Sequence, residues 1–167
     1  MLTFVWLTAA IVLVALDQLI KLWANVSLSQ IDTIPLWEGV LHLTYRRNYG
    51  AAFSILQNQR WLLILVTTAV MAVMLYILLS KKVTQPMLVA SISRILSGGV
   101  GNLLDRIFRE GGFVVDYIDF CLINFPVFNL ADICVVCGTC LLVLYIMVLE
   151  PRLEKQKQLK ENNADGQ

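Results

Sequence analysis

FVVDYIDFCLINFPVFNLADICVVC, residues 113–137, decides how this chain reads. Two of its carboxylates, Asp116 and Asp132, stand out in a sequence that otherwise has the character of a membrane protein. Asp132 opens a long apolar run, and Asp116 lies ahead of it in Phe113-Val114-Val115-Asp116-Tyr117. A carboxylate beside hydrocarbon is costly and usually marks a functional site. Two that can meet suggest a shared proton, and so acid–base chemistry at the membrane boundary.

The rest of the chain supplies the membrane. Of 167 residues, 58% are hydrophobic and only 15% charged, which is too apolar for an ordinary soluble domain. Apolar runs at roughly 3–24, 61–79, 85–105 and 127–149 each approach the length needed to cross a bilayer. The reading is therefore an all-α polytopic membrane protein with four transmembrane helices, in one domain over roughly residues 1–151. The first run carries Asp17 and Lys21 and has no basic segment ahead of it, so it is expected to be a retained helix rather than a removable signal peptide. A net charge of +1 gives no reason to expect nucleic acid, and no Walker, Rossmann or zinc-finger pattern occurs.

Four spans put both termini on one side. Lys81, Lys82, Arg152, Lys155, Lys157 and Lys160 mark that side as cytoplasmic, against Arg46, Arg47, Arg60, Arg106 and Arg109 opposite. The bias is narrow, and it improves if some outer arginines grip lipid phosphates. The segment 152–167 is polar and reads as a solvated cytoplasmic tail, helical at most near its start. Between the first two spans, Val40 to Tyr45 is β-prone, and so is Phe113 to Phe120 in the second outer loop. These predict a small β-containing extracytoplasmic platform, with Trp37, Tyr45, Tyr49 and Trp61 suited to the interfacial belt.

This topology gathers the unusual polar residues into one leaflet. Asp17 and Lys21 come late in helix one, and Asn102, Asp105 and Arg106 end helix three. Asn129 and Asp132 begin helix four, while Asn48 and Asp116 lie in the outer loops. Within helices these residues share faces, and such faces turn inward because unpaired polar groups facing lipid are costly. Gly98, Gly99 and Gly101 allow helix three to approach a neighbour closely. Plainer roles exist for each residue. Asp17–Lys21 can be an intrahelical ion pair, Asp105 and Arg106 can pair with each other or cap the helix, and Asn102 and Asn129 can be interhelical glue. Asp116 can be an ordinary loop carboxylate. Asp132 lies too far into the apolar run for a plain N-cap. His42 reads as a surface residue, and Arg94 as a cation snorkelling toward the cytoplasmic face. Cys134, Cys137 and Cys140 have a CxxCxxC spacing but lie in a continuous apolar helix, so packing is favoured over a metal.

Several motifs then occur in a recognisable order: Asp17-Gln18-Leu19-Ile20-Lys21, Asn48-Tyr49-Gly50-Ala51-Ala52-Phe53, Gly98-Gly99-Val100-Gly101-Asn102-Leu103-Leu104-Asp105-Arg106, Val114-Val115-Asp116 and Phe128-Asn129-Leu130-Ala131-Asp132. In this the chain resembles the bacterial lipoprotein signal peptidase family, or signal peptidase II, over nearly everything before the tail. Arg94 with its neighbouring serines and the cysteine-rich fourth helix depart from the family pattern without touching the motif residues. The resemblance implies an aspartyl peptidase with Asp116 and Asp132 as the catalytic dyad. It implies that Asn48, Gly98, Asn102, Arg106 and Asn129 line or support the substrate site, and that Asp17, Lys21 and Asp105 hold the architecture. The implied substrate is a prolipoprotein whose cysteine carries diacylglyceryl, cut immediately before that cysteine. No metal or other cofactor is implied. Lipid-modified precursors and membrane lipids are the expected partners of a monomer in the bacterial cytoplasmic (inner) membrane, with its active site near the extracytoplasmic face. The competing readings are a proton- or ion-coupled carrier, because intramembrane Asp, Lys and Arg also build relays, and a non-catalytic assembly factor.

Overall fold

Long apolar runs must satisfy their own backbone hydrogen bonds in lipid, which leaves helix as the available form. The computed structural model describes residues 2–51, 55–80 and 83–165. Ala52 and Phe53 of the second motif, and Lys81 and Lys82 of the expected cytoplasmic link, lie outside the described residues, as do the side chains of Lys157 and Lys160. Helix α1 is Leu2–Trp23 and continues through a π-helical turn, Ala24–Leu28, into a last turn, Ser29–Ile31. Helix α2 is Arg60–Leu79, α3 is Pro86–Phe108 and α4 is Leu130–Leu144. A second π-helical turn, Tyr145–Leu149, joins α4 to α5, Glu150–Asp165. Among the described residues four continuous helices are long and apolar enough to cross a membrane: Thr3–Ile31, Arg60–Leu79, Pro86–Phe108 and Leu130–Gln156.

The helix ends differ from expectation for physical reasons. The first span runs on past Ala24, because a π turn absorbs the irregularity without breaking the helix. The fourth begins at Leu130 rather than Val127, because Phe128 exchanges backbone hydrogen bonds with Ile118 at 2.8 and 3.0 Å and so extends the sheet instead. The polar tail is helical as far as Asp165. Its Glu, Lys and Gln favour helix, and Pro151, which has no N–H to give, comes just after the π-helical turn.

The segments between the first two spans and between the last two form a three-stranded antiparallel sheet, β1 (Thr33–Trp37), β2 (Leu41–Asn48) and β3 (Val114–Asp119), with β2 central. Arg46 faces Asp116 across the β2–β3 ladder, and His42 faces Asp119. The sheet packs on the end of the first span: Ala24 and Leu28 bury with Tyr45, Phe113, Val115 and Tyr117. A second cluster, Leu78, Val89, Ile92 and Leu96, joins α2 to the start of α3. Arg94 lies at that end too, its guanidinium 5.2 Å from the Trp6 ring centre.

Helix α3 is the hub. Inside the protein, 61% of its apolar stretch is buried, against 11%, 11% and 17% for the other spans. Small residues make this possible. A Cβ on Gly98 would run into the Ala131 carbonyl oxygen, and one on Gly101 would sit 2.7 Å from Asp17 Oδ2 and 3.2 Å from Ala131 Cβ. These glycines bring α1, α3 and α4 to close range without a hydrophobic driving force between spans.

Gly98→Ala is therefore expected to destabilise the bundle, since overfilling a packed site typically costs about 1–3 kcal/mol. Gly39→Ala, where a Cβ meets nothing within 4 Å, is expected to cost less despite its φ of +69°. Thermal unfolding in detergent checks the order; equal melting temperatures would mean that α3 and α4 part without penalty.

Candidate active site

The start of α4 shows how the site is placed. A helix begins with backbone N–H groups that have no partner inside it. Here each of the first is met from a different direction. Leu130 N donates to Tyr117 Oη of β3 at 3.1 Å, and Ala131 N to Asp17 Oδ1 of α1 at 3.0 Å. Asp132 N donates to Asn129 Oδ1 at 3.0 Å, while Asn129 N donates back to Asp132 Oδ2 at 3.1 Å. This reciprocal pair is a capping box: Asn129 is the N-cap, and Asp132 stands three residues further on. Asp132 is thus not the cap, as expected from its position, but it is part of the cap.

Asp116 reaches the same place from β3 and is 3% exposed. Its Oδ1 accepts from Asn129 Nδ2 at 2.6 Å, and its Oδ2 accepts from Asn48 Nδ2 at 3.0 Å. One residue therefore touches both carboxylates: Asn129 gives its side-chain amide to Asp116 and its backbone N–H to Asp132. Asp132 Oδ1 in turn accepts from Asn102 Nδ2 at 2.8 Å.

The amide orientations are held from behind. Asn48 Oδ1 accepts from Gly50 N at 2.9 Å, and Asn129 Oδ1 accepts from Asp132 N. Asn102 Oδ1 accepts from Lys21 Nζ at 2.8 Å and from Asn129 Nδ2 at 3.2 Å. Reversing any of these amides would set N–H against N–H. Each therefore turns its NH₂ toward a carboxylate.

Behind the amides lies an ion cluster. Lys21, fully buried, pairs with Asp17 at 2.8 Å and with Asp105 at 3.3 Å. The expected Asp17–Lys21 pair is present. Asp105 and Arg106 do not pair with each other. They follow one another on α3 and point to different partners. Asp105 also takes Arg109 at 2.8 Å and Val115 N at 3.2 Å. Arg106 donates to Gly50 O at 2.7 Å, which fixes the chain just after Asn48. Gly98 lies against Ala131 and Val135, so its visible role is the approach of α4 to α3.

Burial, and then the nearby charge of Asp132, push the Asp116 carboxyl up from its ordinary 3.8 to about 7, against the opposing pull of the Asn48 and Asn129 amides. A pair of this kind holds one proton near neutrality and titrates as a unit. A neutral carboxyl beside an ionised one can donate and accept a proton in one step, as hydrolysis requires.

The sequence did not point to several supporting residues. Tyr117 holds the start of α4 through its hydroxyl. Arg60 holds the C-terminal end of the hub, donating to Arg106 O at 2.8 Å and Ile107 O at 3.0 Å, where a cation suits a helix C-terminus. A cavity of about 510 Å³ opens beside the sheet, lined by Asn25, Arg47, Tyr49, Arg109 and Phe113 among others. The helix-four cysteines are spread: Cys134 is buried, whereas Cys137 and Cys140 are on the outer surface.

Comparison with known proteins gives the family. The family described as Peptidase_A8, signal peptidase (SPase) II, matches residues 9–148. A lipoprotein signal peptidase of Clostridioides difficile (strain 630) is 44% identical over 142 residues, 85% of this chain and 94% of that protein. One from Streptococcus agalactiae serotype Ia is 47% identical over 125 residues, 73% of this chain and 78% of that protein. A solved structure described as a bacterial membrane enzyme, at 2.3 Å, superimposes with a TM-score of 0.79 at 26% identity, over 86% of this chain and 87% of that one. The chain belongs to the signal peptidase II family.

Proposed function

We propose that this chain is an aspartyl endopeptidase of the bacterial cytoplasmic membrane. It removes the signal peptide from diacylglyceryl-modified prolipoproteins, cutting immediately before the lipidated cysteine. Asp116 and Asp132 are the catalytic dyad. Asn48, Asn102, Arg106 and Asn129 hold and line the substrate site, and Gly98 supports it by letting α4 approach. Asp17, Lys21 and Asp105 hold the architecture. Both termini and the tail are cytoplasmic, the dyad lies near the extracytoplasmic face, and the protein works as a monomer among membrane lipids without nucleic acid. The observation that carries this reading is the contact of Asn129 with both carboxylates. Nothing in the fold or the comparisons supports the carrier alternative.

The chemistry follows from one proton held between two acids. The ionised partner takes a proton from a water between them, and the water oxygen attacks the scissile carbonyl carbon. The neutral partner gives its proton to the carbonyl oxygen, forming a tetrahedral intermediate. Collapse breaks the C–N bond: the leaving nitrogen receives a proton from the acid that gained one, and a hydroxyl of the intermediate returns a proton to the other acid, which restores the one-proton dyad. The amide donors remain fixed throughout, so little reorganisation accompanies the charge movement. A lipidated cysteine keeps its acyl chains in the bilayer, so its scissile bond rests at the height of a dyad built where spans meet sheet.

Asp132→Asn retains one oxygen that can accept from Asn129 N and keep the cap, while its NH₂ then meets that of Asn102, so thermal unfolding is measured alongside to confirm that the variant is folded. Cleavage of a lipidated precursor, followed by gel shift, should nonetheless fall at least about a hundredfold, and likewise for Asp116→Asn. Turnover within about tenfold of wild type in either variant would remove that residue from the dyad.

The raised Asp116 value sets a pH dependence. Below about 7 Asp116 keeps its proton, and as pH rises through that value the pair carries two negative charges and has no acid. The cleavage rate should therefore fall through this range. Stability should move the same way: the folded value lies above 3.8, so the contribution is complete at acid pH and is lost as pH rises toward about 7. A rate level from about pH 6 to about pH 9 would rule out the shared proton.

A further inference from the structure

The sheet register assembles a second group of reactive side chains that the dyad does not use. His42 of β2 faces Asp119 of β3, and a 3-10 turn beginning at Cys121 follows. Their nitrogen, oxygen and sulfur donors lie within 4.8 Å of one another, and all three residues are half-buried. In the sequence His42 is expected to be a surface residue, because nothing local brings Asp119 and Cys121 to it.

The surroundings favour a cation. Thr44 Oγ1 donates to Asp119 Oδ2 at 2.9 Å, which orients the carboxylate. Among the described residues no lysine or arginine pairs with Asp119. Cys121 Sγ lies 3.7 Å from Asp119 O. The competing bond is weak: His42 Nε2 accepts from Gly39 N at 3.3 Å in an exposed turn.

We propose that His42, Asp119 and Cys121 form a binding site for a divalent transition metal of the zinc class, with the remaining position open to water. The donor set decides the class. One imidazole, one carboxylate and one thiolate suit zinc, whereas calcium and magnesium prefer oxygen alone. Tetrahedral zinc with bonds of about 2.0–2.3 Å needs ligand atoms about 3.3–3.8 Å apart, so the donors close in by roughly an ångström through side-chain rotation. Thr44 then acts as the outer partner that orients the carboxylate ligand. A bound ion would clamp β2 to β3, the two strands that carry Asn48 and Asp116.

The test uses the full chain in detergent, stripped with a chelator and titrated with zinc alone or cobalt(II) alone. Wild type should retain about one zinc per chain through dialysis, and cobalt should show a near-ultraviolet thiolate charge-transfer band. Cys121→Ser should abolish that band. His42→Gln and Asp119→Asn should each weaken zinc binding by about a hundredfold or more, since loss even of an outer partner costs roughly 10–100-fold. Zinc should raise the melting temperature of wild type and not of the variants. If Cys121→Ser does not fold, the two strand variants carry the test. No saturable uptake by wild type at about 100 µM metal would overturn the proposal, as would binding unchanged in His42→Gln and Asp119→Asn, which would assign the metal elsewhere.

Discussion

One buried ammonium organises this molecule. Lys21 is fully enclosed, and a charge out of water survives only when paired and hydrogen-bonded. Its partners define what must surround it: Asp17 on the same helix, and Asp105 and Asn102 on the hub. Each partner passes the constraint on. The second oxygen of Asp17 takes the Ala131 N–H and so holds α4. Asp105 takes the Val115 N–H and so holds β3 beside Asp116. Removing one member of a buried ion cluster leaves uncompensated charge, typically about 3–5 kcal/mol, which is a large fraction of the stability of a domain this size.

The same ammonium sets the polarity of the site. It lies against the oxygen of Asn102, whose NH₂ lies against Asp132. Asn129 and Asn48 repeat the pattern with different anchors, a helix-start N–H and the Gly50 N–H. The carboxylates therefore meet oriented amide dipoles rather than bare cations. Full charges in contact would hold both acids ionised; neutral donors oppose the rise at Asp116 without cancelling it. Arg106 fits this division of labour, since it donates to the backbone carbonyls of Asn102 and Gly50.

Much of this was legible in the chain. Spans follow from apolar length, and the gathering of polar residues follows from alternating direction through the membrane. The β-prone stretches around Val40–Tyr45 and Phe113–Phe120 became strands because they are rich in β-branched and aromatic residues and follow turn glycines. What stayed hidden depended on distant partners. Val127 and Phe128 look like the start of a helix, yet Phe128 pairs with Ile118, a choice the local sequence does not encode. Asp105 and Arg106 look like a pair, yet Lys21 and Arg109 approach Asp105 from other turns. The two π turns leave no mark in hydrophobic pattern, because they alter backbone bonding and not composition. Tyr117 has the plain sequence signature of a strand aromatic; only the placement of α4 makes its hydroxyl matter.

Weaving Asp132 into the first turn of α4 has a consequence for biosynthesis. That turn is completed by groups from α1 and β3, and it belongs to the segment that leaves the ribosome after the other three spans. A chain still being made can present Asp116 while lacking its counterpart. Proteolytic competence under the proposed dyad would thus arise only on closure of the last span, and incomplete copies left in the bilayer would be harmless to their neighbours.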